Sequence, residues 1–207
     1  MTDLLFDEVD GGCIVALPEK TTPIVGKSSV YKYRTLAYSK GENVVDFTFL
    51  HPVLYSPGGI RFKENCGSIM FLLPLNDENL HELIYKYEEY YRACSKFADI
   101  TSPLMLDESR TAYRLYVKVN KNTVTDENGN LIDWNRYNNR QLWLKPKIQW
   151  ERIPLNTIKN LQLKLVSAEI IDSKPIKKKD ITMIRLDQYD QGTINELQRQ
   201  LQALASK

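Results

Sequence analysis

Two short runs in this chain alternate cations with aromatic rings. In "YRLYVKV" (113–119), Arg114, Tyr116 and Lys118 occupy every second position. In "QLWLKPKIQW" (141–150), Trp143, Lys145 and Lys147 do the same. Residues two apart share one face of a β-strand, so each triplet shares a face. The stretch between them adds Lys121, Trp134, Arg136, Tyr137 and Arg140, and "WNRY" puts two rings and a cation within four residues. Together such residues can recognise an unpaired polynucleotide. Cations track the phosphates, and rings stack on bases at about 1–3 kcal/mol each. A plainer reading stands beside it. Exposed Tyr and Trp next to Lys are ordinary on an antiparallel sheet, and Trp143 could pack beneath another element.

The charge distribution points to the same segment. Residues 1–109 carry 10 Lys/Arg and 16 Asp/Glu, residues 110–164 carry 11 and 4, and residues 165–207 carry 7 and 6. The overall +2 therefore hides a basic middle beside an acidic first half. That asymmetry suits a polyanionic partner.

Signatures of other chemistry are missing. No G-x-x-x-x-G-K-[ST], G-x-G-x-x-G or G-x-S-x-G motif occurs. Cys13, Cys66 and Cys94 form no C-x-x-C pair, and His51 and His81 have no ligand spacing, so no zinc site and no cofactor is expected. Glu88-Glu89 reads as a solvated face of a helix. The chain is read as a non-enzyme, and a nuclease is the least supported reading. Three scattered cysteines fit a reducing compartment. The acidic start "MTDLLFDEVDGG" is no secretory signal, and no window approaches the ~18 apolar residues of a membrane span. An intracellular, soluble protein is expected.

The positioning elements follow from periodicity. Residues 1–27 read as an arm with one short strand, Cys13 to Leu17. "SSVYKYRTLAY", "VVDFTFL" and the continuously apolar "CGSIMFLLPL" read as three strands. "NDENLHELIYKYEEYYRACSKFA" is a helix: Leu80, Leu83, Ile84, Tyr87, Tyr91, Cys94 and Phe97 recur at helical spacing behind an Asn76 or Asp77 cap. Strands 113–119, 141–150 and 161–171 come next, the first two separated by the polar loop Asn120 to Arg140. In the second, Leu142, Leu144, Pro146, Ile148 and Trp150 form the inner face. Lys177 to Lys179 read as a basic linker, and residues 190–205 as a short helix with a capping box from Thr193 to Glu196.

Three strands, a helix, then further strands is the order of an OB-fold, a partly open barrel. The expectation is a mainly β, α+β chain: an arm (1–27), an OB-like domain (28–172) with its helix between strands 3 and 4, and a linker with a C-terminal helix (173–207). Ser39–Asn43 and Asn120–Arg140 would be its binding loops. A different α+β sheet with the same order is the alternative.

In this order and in three passages, "YRLYVKVNKNTVTDENGNLIDWNRY", "QLWLKPKIQWERI" and "LQLKLVSAEII", the chain resembles the single-stranded DNA-binding proteins of phages and large DNA viruses. These OB-fold proteins coat displaced strands during replication and recombination. The resemblance covers about residues 28–171. It departs at the end, where a near-neutral helical segment replaces the acidic tail common in those proteins. It implies stacking and phosphate roles for Tyr116, Trp143, Trp134, Tyr137, Arg114, Lys118, Lys145 and Lys147. The expected partner is single-stranded nucleic acid, DNA over RNA, with self-association through the C-terminal helix. The alternative is a structural or adaptor protein of a virion or oligomeric scaffold, acting through protein contacts.

Overall fold

Alternating apolar residues drive most of the chain into strands. The computed structural model describes residues 5–9, 12–23, 30–40, 43–155 and 159–176. The strands are β1 (Leu5–Val9), β2 (Gly12–Ala16), β3 (Lys20–Pro23), β4 (Val30–Lys40), β5 (Asn43–Asp46), β6 (Thr48–Leu50), β7 (Leu54–Ser56), β8 (Ile60–Lys63), β9 (Cys66–Pro74), β10 (Leu104–Leu106), β11 (Ala112–Asn120), β12 (Arg140–Pro154) and β13 (Gln162–Pro175). Among the described residues one α-helix, α1 (Glu78–Ser95), follows β9, and a 3-10 turn spans Trp134–Tyr137. The protein is mainly β with a partly closed sheet.

Five strands close on themselves in the order β7, β9, β11, β13, β12 and back to β7. All junctions are antiparallel except β11–β13, which is parallel at Lys118 and Lys164. β4 joins the outer side of this ring at the far end of β12 and carries β2, β3 and β5.

Long β12 shows how the pattern becomes a wall. Leu142, Leu144, Pro146, Ile148 and Trp150 are all buried, as their alternation predicts. Pro146 lacks an N–H, yet it lies mid-strand. Its carbonyl accepts from His51 N–H, so its nitrogen also faces the gap between β6 and β7, where no strand asks for a donor. α1 starts at Asp77, whose carboxylate accepts from Asn79 N–H at 3.1 Å. It buries Leu80, Leu83, Ile84, Tyr87, Tyr90, Ala93 and Cys94. There Tyr87 and Tyr90 join Phe47, Phe49, His51 and Trp150 in one aromatic cluster.

Several expectations need correction. The helix falls between the second and third strands of the closed ring, because the ring begins at β7 and the 28–38 strand (β4) lies outside it. Ser39–Asn43 therefore joins two strands outside the ring. "VVDFTFL" is not one strand: the chain turns at buried Phe47, so β5 pairs with β4 and β6 with β12, leaving Val45 56% exposed. β9 buries Ile69, Phe71 and Leu73 but exposes Cys66 and Ser68, so only one of its faces is core. The expected Cys13–Leu17 strand is β2, one residue earlier, and its Ile14 and Ala16 sit in the core. The basic linker and the C-terminal helix lie outside the described residues.

Candidate functional site

The outward residues of four adjacent strands line up across the sheet. Arg61 on β8 stands opposite Ser68 on β9, Ser68 opposite Lys118 on β11, and Lys118 opposite Lys164 on β13. At about 4.8 Å per strand, the row from Arg61 to Lys164 spans about 14 Å. β13 pairs next with β12, where Gln162 faces Arg152. On β8, Lys63 shares the face of Arg61.

The row becomes a groove because β9 contributes only small side chains, Cys66, Gly67 and Ser68, between taller neighbours. The tight β8–β9 hairpin requires that glycine: a Cβ on Gly67 would collide with the carbonyl oxygen of Arg61 and lie 2.9 Å from the Phe62 ring. The resulting open cleft measures about 730 Å³. Among the described residues, five cations line it (Arg61, Lys63, Lys118, Arg152 and Lys164) against one carboxylate, Glu151.

Glu151 and Arg152 would point to opposite faces of a regular strand. The β12–β13 ladder slips between Trp150 and Arg152, and this bulge lets both side chains line the groove. They belong to one hydrogen-bonded chain. Lys118 Nζ donates to Gln162 Oε1 at 2.8 Å, the Gln162 amide donates to Glu151, and the Arg152 guanidinium meets Glu151 at 3.3 Å. Burial against the groove wall holds the Lys118 amine below its ordinary pKa, opposed by the nearby Glu151 charge.

Rings stand at the β12 end. The Arg152 guanidinium lies 4.6 Å from the centre of the Tyr33 ring, and Tyr33 stacks on Tyr31 at 5.5 Å with 22° between planes. Both tyrosines are half-buried. Burial pushes the Tyr31 phenol up from its usual pKa, against the pull of Arg152.

The residues singled out by their spacing do not form one surface. β13 lies between β11 and β12, so Arg114, Tyr116 and Lys118 are not beside Trp143, Lys145 and Lys147. Lys118 alone lines the groove, with Tyr116, 46% exposed, two residues along the same face. Trp143 stacks on Tyr55 at 4.7 Å and has Lys174 at 4.8 Å, far along β12 from Arg152. Lys145 pairs with Glu169 at 3.2 Å. Lys147 is exposed on the outer face of β12. Arg140 is clamped to Ser173, donating to Oγ at 3.1 Å and to the carbonyl at 2.8 Å. Arg114 is half-buried on β11, and Lys121 is half-buried with its N–H on the Asn65 carbonyl. Trp134 is 5% exposed beside Phe62 and Tyr137, so it cannot stack on a ligand as the loop reading expects. Tyr137 packs with it, and Arg136 pairs with Asp133 at 3.2 Å.

Arg61, Lys63, Arg152, Lys164, Tyr31 and Tyr33 are residues of this region that spacing alone does not single out. The signals were present as alternation, Arg61/Lys63 and Tyr31/Tyr33, but their meaning depends on which strands become neighbours. No helix among the described residues is long and apolar enough to cross a membrane. No protein-family model, curated protein or solved structure matches this chain.

Proposed function

We propose that this chain is a sequence-tolerant single-stranded nucleic-acid-binding protein, with DNA as its ligand, and that the strand lies in the Arg61–Lys164 groove. One observation carries the reading: the cation row Arg61, Lys118, Lys164 and Arg152, which ends at the Tyr33–Tyr31 stack. Phosphates follow the row, and unpaired bases turn onto the tyrosines. In this reading affinity rests on charge and stacking.

The ring supports an OB-like reading of the fold. Numbered along the chain, its strands close as 1-2-3-5-4-1 with 3 and 5 parallel, and the groove floor is strands 2 and 3 with the 1–2 connection alongside. OB-folds bind oligonucleotides on that face. Coating of displaced strands during phage or viral replication is the role we propose for it. The test is anisotropy of labelled dT12 and of a 12-base-pair duplex in parallel at 50 mM salt. Tight dT12 binding with weaker duplex binding supports the proposal, and silence from both ends it.

A scaffold role is the second reading. It rests on Val44, Val45 and Leu50, which are 57%, 56% and 70% exposed around β5 and β6. A stable oligomer formed without nucleic acid and lost in Val44→Asp would favour it.

A further inference from the structure

A carboxylate at the centre of a phosphate groove needs a reason, because it repels the ligand. Among the described residues, Glu151 is the one acidic side chain lining the cleft. Its side chain is 14% exposed, so its charge is felt in poorly hydrated surroundings. It contacts Arg152 directly and reaches Lys118 through Gln162. Its partners are thus two of the cations assigned to the ligand. The bulge that brings Glu151 onto this face places it there together with Arg152.

We propose, resting on the groove reading above, that Glu151 is a built-in competitor for the phosphate. In the empty groove it holds the Arg152 guanidinium and, through the Gln162 amide, the Lys118 amine. A bound strand takes over these donors, and Glu151 is left facing a phosphate. The groove therefore binds more weakly than its cations alone would allow, and a strand can leave or shift readily.

The test is Glu151→Gln, which keeps the shape and the acceptor oxygen and removes the charge. Removing one negative charge several ångströms from a bound phosphate tightens dT12 binding about tenfold at 50 mM salt. A residue that merely holds Arg152 in place would give the opposite sign. Unchanged or weaker binding by Glu151→Gln, with dT12 still bound by the unsubstituted protein, overturns the competitor role alone. Failure of both proteins to bind overturns the groove reading and this inference with it. Should the variant not fold, carbon-detected NMR of the unsubstituted protein decides. The Glu151 carboxylate signal shifts on saturation with dT12, and a stationary signal overturns the proposal.

Discussion

His51 is 3% exposed and sits where the chain leaves β6 for β7. The Pro146 carbonyl, 3.2 Å away, can only accept, so Nδ1 carries the proton. Nε2 then accepts from the Tyr87 hydroxyl at 2.8 Å. The Phe49 ring stacks on the imidazole at 4.5 Å. A second proton on this ring would be a buried charge facing a hydroxyl. Burial accordingly lowers the His51 pKa from 6.5 to about 4, although hydrogen bonds to the Pro146 and Phe49 carbonyls work the other way. The folded state therefore binds fewer protons than the unfolded chain between these values. The His51 contribution is complete above pH 6.5 and is lost as pH falls through about 4. At about 1.4 kcal/mol per unit, the full loss is about 3 kcal/mol. Urea denaturation at pH 7.5, 6.0, 5.0 and 4.5 measures it, with His51→Gln as the reference that shares every other titrating group. The stability difference between the two proteins should shrink by about 1 kcal/mol per unit below pH 6. A difference constant from pH 7.5 to 4.5 would refute the buried neutral imidazole.

Three further outcomes follow from named contacts. Trp143→Ala removes a half-buried ring stacked on Tyr55; it should cost about 2 kcal/mol in urea denaturation and leave dT12 affinity unchanged, since Trp143 is remote from the groove. Tyr33→Ala should weaken dT12 by about 1–2 kcal/mol in anisotropy titrations with little change in melting temperature. Gly67→Ala forces a Cβ against the Arg61 carbonyl; it should destabilise by about 2 kcal/mol and weaken dT12 by disturbing the groove floor.

Legibility in the sequence followed the range of the interactions. α1 was readable because its periodicity and its Asp77 cap are local. The inner face of β12 was readable for the same reason, down to Trp150 in the core. The "DENGN" turn is local as well, with Asp126 accepting from Asn128 and Asn130 N–H at 2.9 and 2.8 Å. The site was not readable, because strand partners are chosen by long-range pairing. Placing β13 between β11 and β12 separates the two cation–aromatic triplets and sets Lys118 beside Lys164 instead. The bulge at Glu151 breaks the two-residue period, so alternation alone assigns Arg152 to the wrong face. A polar loop suggests an accessible Trp134, yet the 3-10 turn folds it onto Phe62.

The salt dependence of dT12 affinity tests the groove most directly. Four phosphates held by Arg61, Lys118, Lys164 and Arg152 give a slope of log affinity against log salt of about −3. Replacing Lys118 and Lys164 together by Ala should halve it to about −1.5 and weaken binding at 50 mM salt, while Lys145→Ala/Lys147→Ala leaves both unchanged. A slope that stays near −3 in the Lys118/Lys164 variant and falls in the Lys145/Lys147 variant would contradict the groove and return the site to the outer face of β12.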